Sequence, residues 1–219
     1  AGDSLLRGIY WYRPDPAVAW LLGNGQPADL RPIVGGYGLP LGEQTPPPAW
    51  LGLASWPLDE AWHRSFAGVR TTPLERTFDK IACRSGYEPQ AAYLLLDGLG
   101  TGGHGHMDGN AILQWSEDER IWLADGDYIK SLPKYHNTLL VLRDGQSVRP
   151  PDAAELMHAA DLPGAGFSQT ALRGYAGVDW ERSVVWLKGR WFAVIDRVTA
   201  KEDGDYSLRA VWQTVGTTR

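Results

Sequence analysis

The sequence predicts a mainly β protein, an antiparallel β-sandwich preceded by a short helical segment and a linker. Two observations carry that prediction. From residue 63 onward, short runs of alternating apolar and polar residues recur about every ten positions, separated by Gly, Asp and Asn. Helix signals are confined to the N-terminal end. A chain of 219 residues can bury a sizeable core.

Residues 4–23 look helical in pieces. "DPAVAWLLGNG" has Asp at the N-cap, Pro at the first helical position and Gly just past the end. Residues 24–62 are rich in Pro and Gly without a sustained period, which reads as a linker across a surface. The domain reading is therefore 1–62 for the helical tail and linker, and 63–219 for the sandwich.

Candidate strands follow at 65–71, 77–85, 91–98, 111–117, 120–126, 137–144, 154–161, 168–175, 180–189, 190–200 and 206–215. "SVVWLKGRWFAVIDRV" reads as a hairpin turning at "KGR", and "AILQWSEDERIWLADG" as another turning at "SEDER". Many short strands with so little helix point to two antiparallel sheets face to face.

Composition narrows the function. The net charge is −5 with both signs interspersed, which argues against nucleic-acid binding. No apolar run approaches the roughly 20 residues that span a bilayer. No basic–apolar–small leader precedes the first element, and both ends fall inside patterns, as in a piece of a longer protein. The one cysteine, Cys83, excludes an internal disulfide and reads as a buried, inert thiol. The 11 tryptophans suit packing first and sugar stacking second.

The chemistry concentrates in "TGGHGHMDGNA", residues 101–111. If the stretch is extended, His104, His106 and Asp108 project to one face. Gly102, Gly103 and Gly105 leave room for a ligand near the backbone. The 120–126 strand brings Asp125 alongside, and His136 follows eleven residues later (136 − 125). Two imidazoles and a carboxylate from neighbouring segments suit a divalent metal, with zinc favoured. On spacing alone, Asp108 and Asp125 are equally good as the carboxylate. His63 and His158 read as packing or surface residues.

"GGHGHMDGNAILQW", "IWLADGDY" and "YHNTLLVLRDGQ", in that order, resemble the pattern of the heparinase II/III-like polysaccharide lyases. That pattern is a His-x-His-x-Asp stretch, a strand ending in Asp followed by Gly, and a His-Asn-Thr strand. The upstream "FDKIACRSGYEPQAAYLLLDGLG" and downstream "VVWLKGRWFAVIDRV" also fit, so the resemblance spans about residues 64–200. "DGD" stands where the family often has Asp-Pro-Gly.

The resemblance implies an N-terminal α/α toroid followed by a β-sandwich. The present chain would be the tail of the toroid, a linker and the sandwich, and the toroid of the same longer protein would be its partner. It implies a mainly structural Zn2+ bound by His106, Asp125 and His136. His104 would face the sugar cleft, while Asp108 and Asn137 would orient ligand histidines. It further implies β-elimination on a uronate-containing anionic polysaccharide, in the periplasm or outside the cell. His104 is then the candidate for carboxylate neutralisation or base assistance, with Tyr128 and Tyr135 as candidates for acid or base.

Lys130, Lys134, Arg143 and Arg149 face a single Asp144 between residues 128 and 150, a basic rim that would attract such a polymer. The family's principal Tyr and its Asn or His come from the toroid, so this piece is expected not to cleave polysaccharide alone. Two other classes compete. One is a noncatalytic carbohydrate-binding or scaffolding sandwich that keeps the metal. The other is a cupin-like metal enzyme, disfavoured because no Glu follows the second histidine within residues 109–112.

Overall fold

The computed structural model describes residues 13–24, 42–46, 51–66, 68–100, 106–125 and 129–215. The chain divides into two compact units, residues 1–49 and 50–219. In the first, helix α1 (Pro16–Asn24) starts where the sequence places it. Asp15 Oδ1 accepts from Ala17 N at 2.8 Å and Val18 N at 3.3 Å, and Pro16 occupies the first helical position.

The second unit is built of antiparallel strands. Strand β1 (Gly52–Pro57) lies within the stretch read as linker and pairs with β2 (Phe78–Arg84). Six residues of "GLASWP" are enough for an edge strand, and its proline falls at a register shift, where a missing N–H does no harm. Helix α2 (Glu60–Ser65) and the turns after it replace the strand expected at 65–71. Asp59 Oδ1 takes the orphan N–H groups of Ala61 and Trp62, at 2.8 and 3.3 Å, which nucleates the helix. Val69 is then folded inward against Leu58, Leu99 and Ala153.

Strands β3 (Tyr93–Asp97), β4 (Ile112–Glu117) and β5 (Arg120–Ala124) continue the first sheet, whose spatial order β1-β2-β3-β4-β5 is also its chain order. Strands β6 (Leu139–Arg143) and β7 (Gln146–Ser147) form a second ladder with β12 (Tyr206–Ala210), in the order β12-β6-β7. Strands β8 (Glu155–Asp161), β9 (Ala165–Tyr175), β10 (Val178–Leu187) and β11 (Trp191–Ala200) make the third, in the order β11-β10-β9-β8. The two expected sheets are thus three ladders around one core. The extra ladder arises because β12 returns to β6 rather than pairing with β11.

The turn at Lys188–Arg190 is as expected, with Gly189 at φ +71°. A second hairpin, unread in the sequence, joins β9 to β10 through Ala176 and Gly177, at φ +54° and +84°. Positive φ at both central residues matches the right-handed strand twist. The burial of β10 alternates strictly, and Trp180, Arg182, Val184 and Trp186 point inward. Trp180, Val184 and Trp186 share one core cluster with Ile81, Leu94, Leu96 and Ile112 of the first sheet and Val141 of β6. Cys83 is 1% exposed in the same core, and burial pushes its thiol up to about 12.

Asp97, at the end of β3, accepts from Lys80 Nζ at 2.9 Å and Leu99 N at 3.0 Å. Burial outweighs the attraction of Lys80 and lifts its carboxyl to about 6. The folded carboxyl therefore holds its proton more tightly than the unfolded one, near 4. Its stabilising contribution is complete below about pH 4 and disappears as pH rises through about 6. Urea midpoints of the metal-free protein are expected to fall from pH 4 to 7 relative to those of Asp97→Asn. A gap between the two that does not change with pH would contradict this.

Candidate metal centre

The chain leaves β3 through Gly98, where a Cβ would stand 2.0 Å from the Phe78 carbonyl oxygen. Only glycine lets the backbone pass so close to β2. Beyond it, Leu99 bridges to Ala153, and Gly100 N donates to the Asp152 carbonyl at 2.9 Å. Residues 101–105 are outside the described residues, and His104 is among them.

From His106 the backbone makes a turn, not the extended run considered above. Met107 N donates to the Ser131 carbonyl at 2.9 Å, and Ala111 N closes back on the Asp108 carbonyl at 2.8 Å. Asn110 takes φ +67°, a conformation that Asn tolerates better than most side chains. Its N–H donates to the Asp97 carbonyl at 2.9 Å. This turn carries His106 and Asp108.

The second segment starts at Asp125, whose N–H donates to Leu113 at 2.7 Å just past β5. Tyr128 also falls outside the described residues. A single 3-10 turn, Pro133–Tyr135, then delivers His136, whose N–H bonds the Pro133 carbonyl at 3.1 Å. Asn137 fixes the exit from the turn. Its Nδ2 donates to the Ile112 carbonyl at 2.9 Å, and its Oδ1 accepts from Gln213 N at 2.5 Å.

The two segments converge. His136 is fully buried, and its Nδ1 lies 2.9 Å from both Asp125 oxygens. The His106 and His136 rings are 5.6 Å apart between centroids, and His106 Nδ1 is 4.0 Å from Asp108 Oδ2. His106, Asp108 and His136 each offer one donor atom, and these atoms all lie within 4.8 Å of one another. Asp125 joins them through His136.

Burial alone would push the His136 imidazole down, but its bond to Asp125 and the charge of Asp108 leave it raised. Burial raises the Asp108 carboxyl, against the pull of His136. Asp108 and His136 therefore both hold a proton more firmly than in water. Among the described residues, the buried His136 Nε2 and Asn110 Nδ2 have no hydrogen-bond partner. Imidazole nitrogen and carboxylate oxygen are zinc donors. His106, Asp108 and His136 are the set whose donor atoms come together, while Asp125 is hydrogen-bonded to His136 Nδ1, as a group that orients a ligand imidazole would be. The residues present fit the metal.

Tyr135 is half-buried, with the Lys130 and Lys134 ammonium groups 5.3 and 5.0 Å from its ring centre. The other two basic residues of the expected rim are engaged. Arg149 Nη2 is 2.9 Å from Asp152 Oδ1, and Arg143 pairs with Glu202. Beside His106, a groove of about 460 Å³ is lined by Met107, Pro133, Lys134, Leu142, Ser147 and Arg149. His63 bonds the Thr72 carbonyl at 2.7 Å, and His158 is exposed on β8. Both lie apart from this centre. No described helix is long and apolar enough to cross a membrane.

No family model and no curated protein matches the sequence. Solved structures do share its fold. One is heparan sulfate lyase HepC from Pedobacter heparinus, at TM-score 0.63 and 16% identity, over 98% of this chain and 29% of that one. A structure of heparinase III matches at TM-score 0.59 and 14% identity, over 92% of this chain and 28% of that one. Another heparinase III matches at TM-score 0.61 and 11% identity, over 94% of this chain and 28% of that one. The chain spans less than a third of the length of each.

Proposed function

We propose that this chain is the β-sandwich portion of a polysaccharide lyase that cleaves a uronate-containing polysaccharide by β-elimination. In this reading it supplies a structural zinc centre and one wall of the catalytic cleft. The carrying observation is the convergence of His106, Asp108, Asp125 and His136 in a fold shared with heparan sulfate lyases.

His106, Asp125 and His136 would hold the zinc, which ties the turn before β4 to the loop after β5. The chain's own residues then act on the sugar. β-Elimination removes the proton beside the uronate carboxylate, so the carboxylate charge must be offset before a base can take that proton. His104, two residues before His106, is assigned to that neutralisation or to assisting the base. Tyr135, with Lys130 and Lys134 over its ring, presents a phenol where an anionic sugar would be drawn in. Tyr128 is the other candidate acid or base. The remaining machinery is assigned to an N-terminal toroid of the longer protein, and the site of action to the periplasm or the medium, where polymers are met.

The test uses the longer protein and the unsaturated uronate absorbance of its products. His104→Ala is expected to abolish product formation while leaving bound zinc, measured by elemental analysis, at one per chain. Product formation that survives with zinc retained overturns the catalytic reading and leaves a noncatalytic sugar-binding sandwich. The 219-residue chain alone is expected to bind zinc and form no product.

A further inference from the structure

Behind the histidine centre lies a charge that the proposed chemistry does not use. Arg182 points inward from β10 between Trp180 and Val184, and it is fully buried. Such a position normally takes an apolar residue, because a buried cation must recover its lost hydration from its partners. Arg182 has those partners. Its Nε and Nη2 grip the two oxygens of Asp196, at 2.9 and 3.0 Å. Its Nη1 donates to two backbone carbonyls, Asn110 at 2.9 Å and Asn137 at 3.2 Å.

The identity of those carbonyls matters. Asn110 closes the turn that carries His106 and Asp108, and Asn137 directly follows His136. One guanidinium therefore ties together the two chain segments that bring the donor groups. Thr170 on β9 adds a second hold on the first segment, its Oγ1 donating to Asn110 Oδ1 at 2.5 Å. A lysine ammonium lacks the planar fork that reaches a carboxylate and two carbonyls at once.

We infer that Arg182 is a positioning residue for the metal centre, setting the separation of the His106–Asp108 turn from His136 through the Asn110 and Asn137 carbonyls. The inference rests on the zinc reading above. Its consequence is that metal affinity depends on a residue of the opposite sheet that touches none of the donors.

Cobalt(II) is the probe, added to the metal-free 219-residue chain and followed by its visible absorption. Thermal melts of the same samples report folding. Arg182→Lys is expected to weaken cobalt binding about tenfold or more, the scale of outer-shell changes at metal sites, and to shift the visible bands in the protein that remains folded. Thr170→Val, nearly isosteric, is expected to weaken binding about threefold without loss of fold. Unchanged affinity and spectrum in folded Arg182→Lys overturn the inference, even if its melting temperature drops. Should Arg182→Lys not fold, unchanged affinity in Thr170→Val overturns it instead. Wild-type protein that binds no cobalt overturns the metal reading on which both depend.

Discussion

Replacing His136 by alanine is expected to remove metal binding and weaken the metal-free fold in the same variant. The imidazole is fully buried between Asp125 and the His106–Asp108 turn. Without it, Asp125, whose side chain is 5% exposed, faces a void instead of its hydrogen-bonded imidazole. Stranding one partner of a buried pair costs about 3–5 kcal/mol. Zinc affinity is expected to fall by more than about 100-fold, beyond the range for partners outside the coordination sphere.

Chelator competition and urea unfolding on one preparation read both quantities. Retained affinity in the folded variant would remove His136 from the centre. The carboxylates are then ranked by the same measurement. Asp125→Asn is expected to lose more affinity than Asp108→Asn, and the reverse order makes Asp108 the ligand.

Asp196→Ala is the second large effect, about 3–5 kcal/mol of stability. The carboxylate accepts from Arg182 through both oxygens and from Trp180 Nε1 at 2.8 Å. Its loss leaves a guanidinium with no exposure and no counter-charge within the core. Guanidinium chloride would screen the effect, so urea is the denaturant of choice. A loss below about 1 kcal/mol would mean the pair is solvated and the account of the core wrong. The double variant Arg182→Met with Asp196→Leu is expected to regain most of the stability, since apolar residues can replace a buried ion pair. It is not expected to regain metal affinity.

Much of this architecture is legible from alternation alone. β10 reads Trp180, Arg182, Val184, Trp186 on one face, and the structure buries all four. The arginine in phase with that apolar face was itself a signal of a buried polar device, visible without coordinates but unread. β1 escaped notice because prolines crowd it, although a proline at an edge-strand register shift is harmless. Helix α2 escaped because the β-prone Phe66, Val69 and Thr71 drew 65–71 into a strand reading, while Asp59 before "EAWHRS" is a legible N-cap.

At the centre, His106, Asp108, Asp125 and His136 were legible as candidates by residue type and order, and the structure brings them near one another. Their arrangement was not, because it depends on the Asn110 turn and on a carbonyl clamp reaching over from β10. Spacing in the chain carries no information about either.

Cys83 makes the chain its own folding gauge. A lone thiol, 1% exposed and held protonated to about 12, is silent toward alkylating reagents at neutral pH while the core stays shut. Labelling, followed by mass, therefore counts openings of the interior. Its dependence on added zinc would reveal how far the metal slows them, with no engineered reporter.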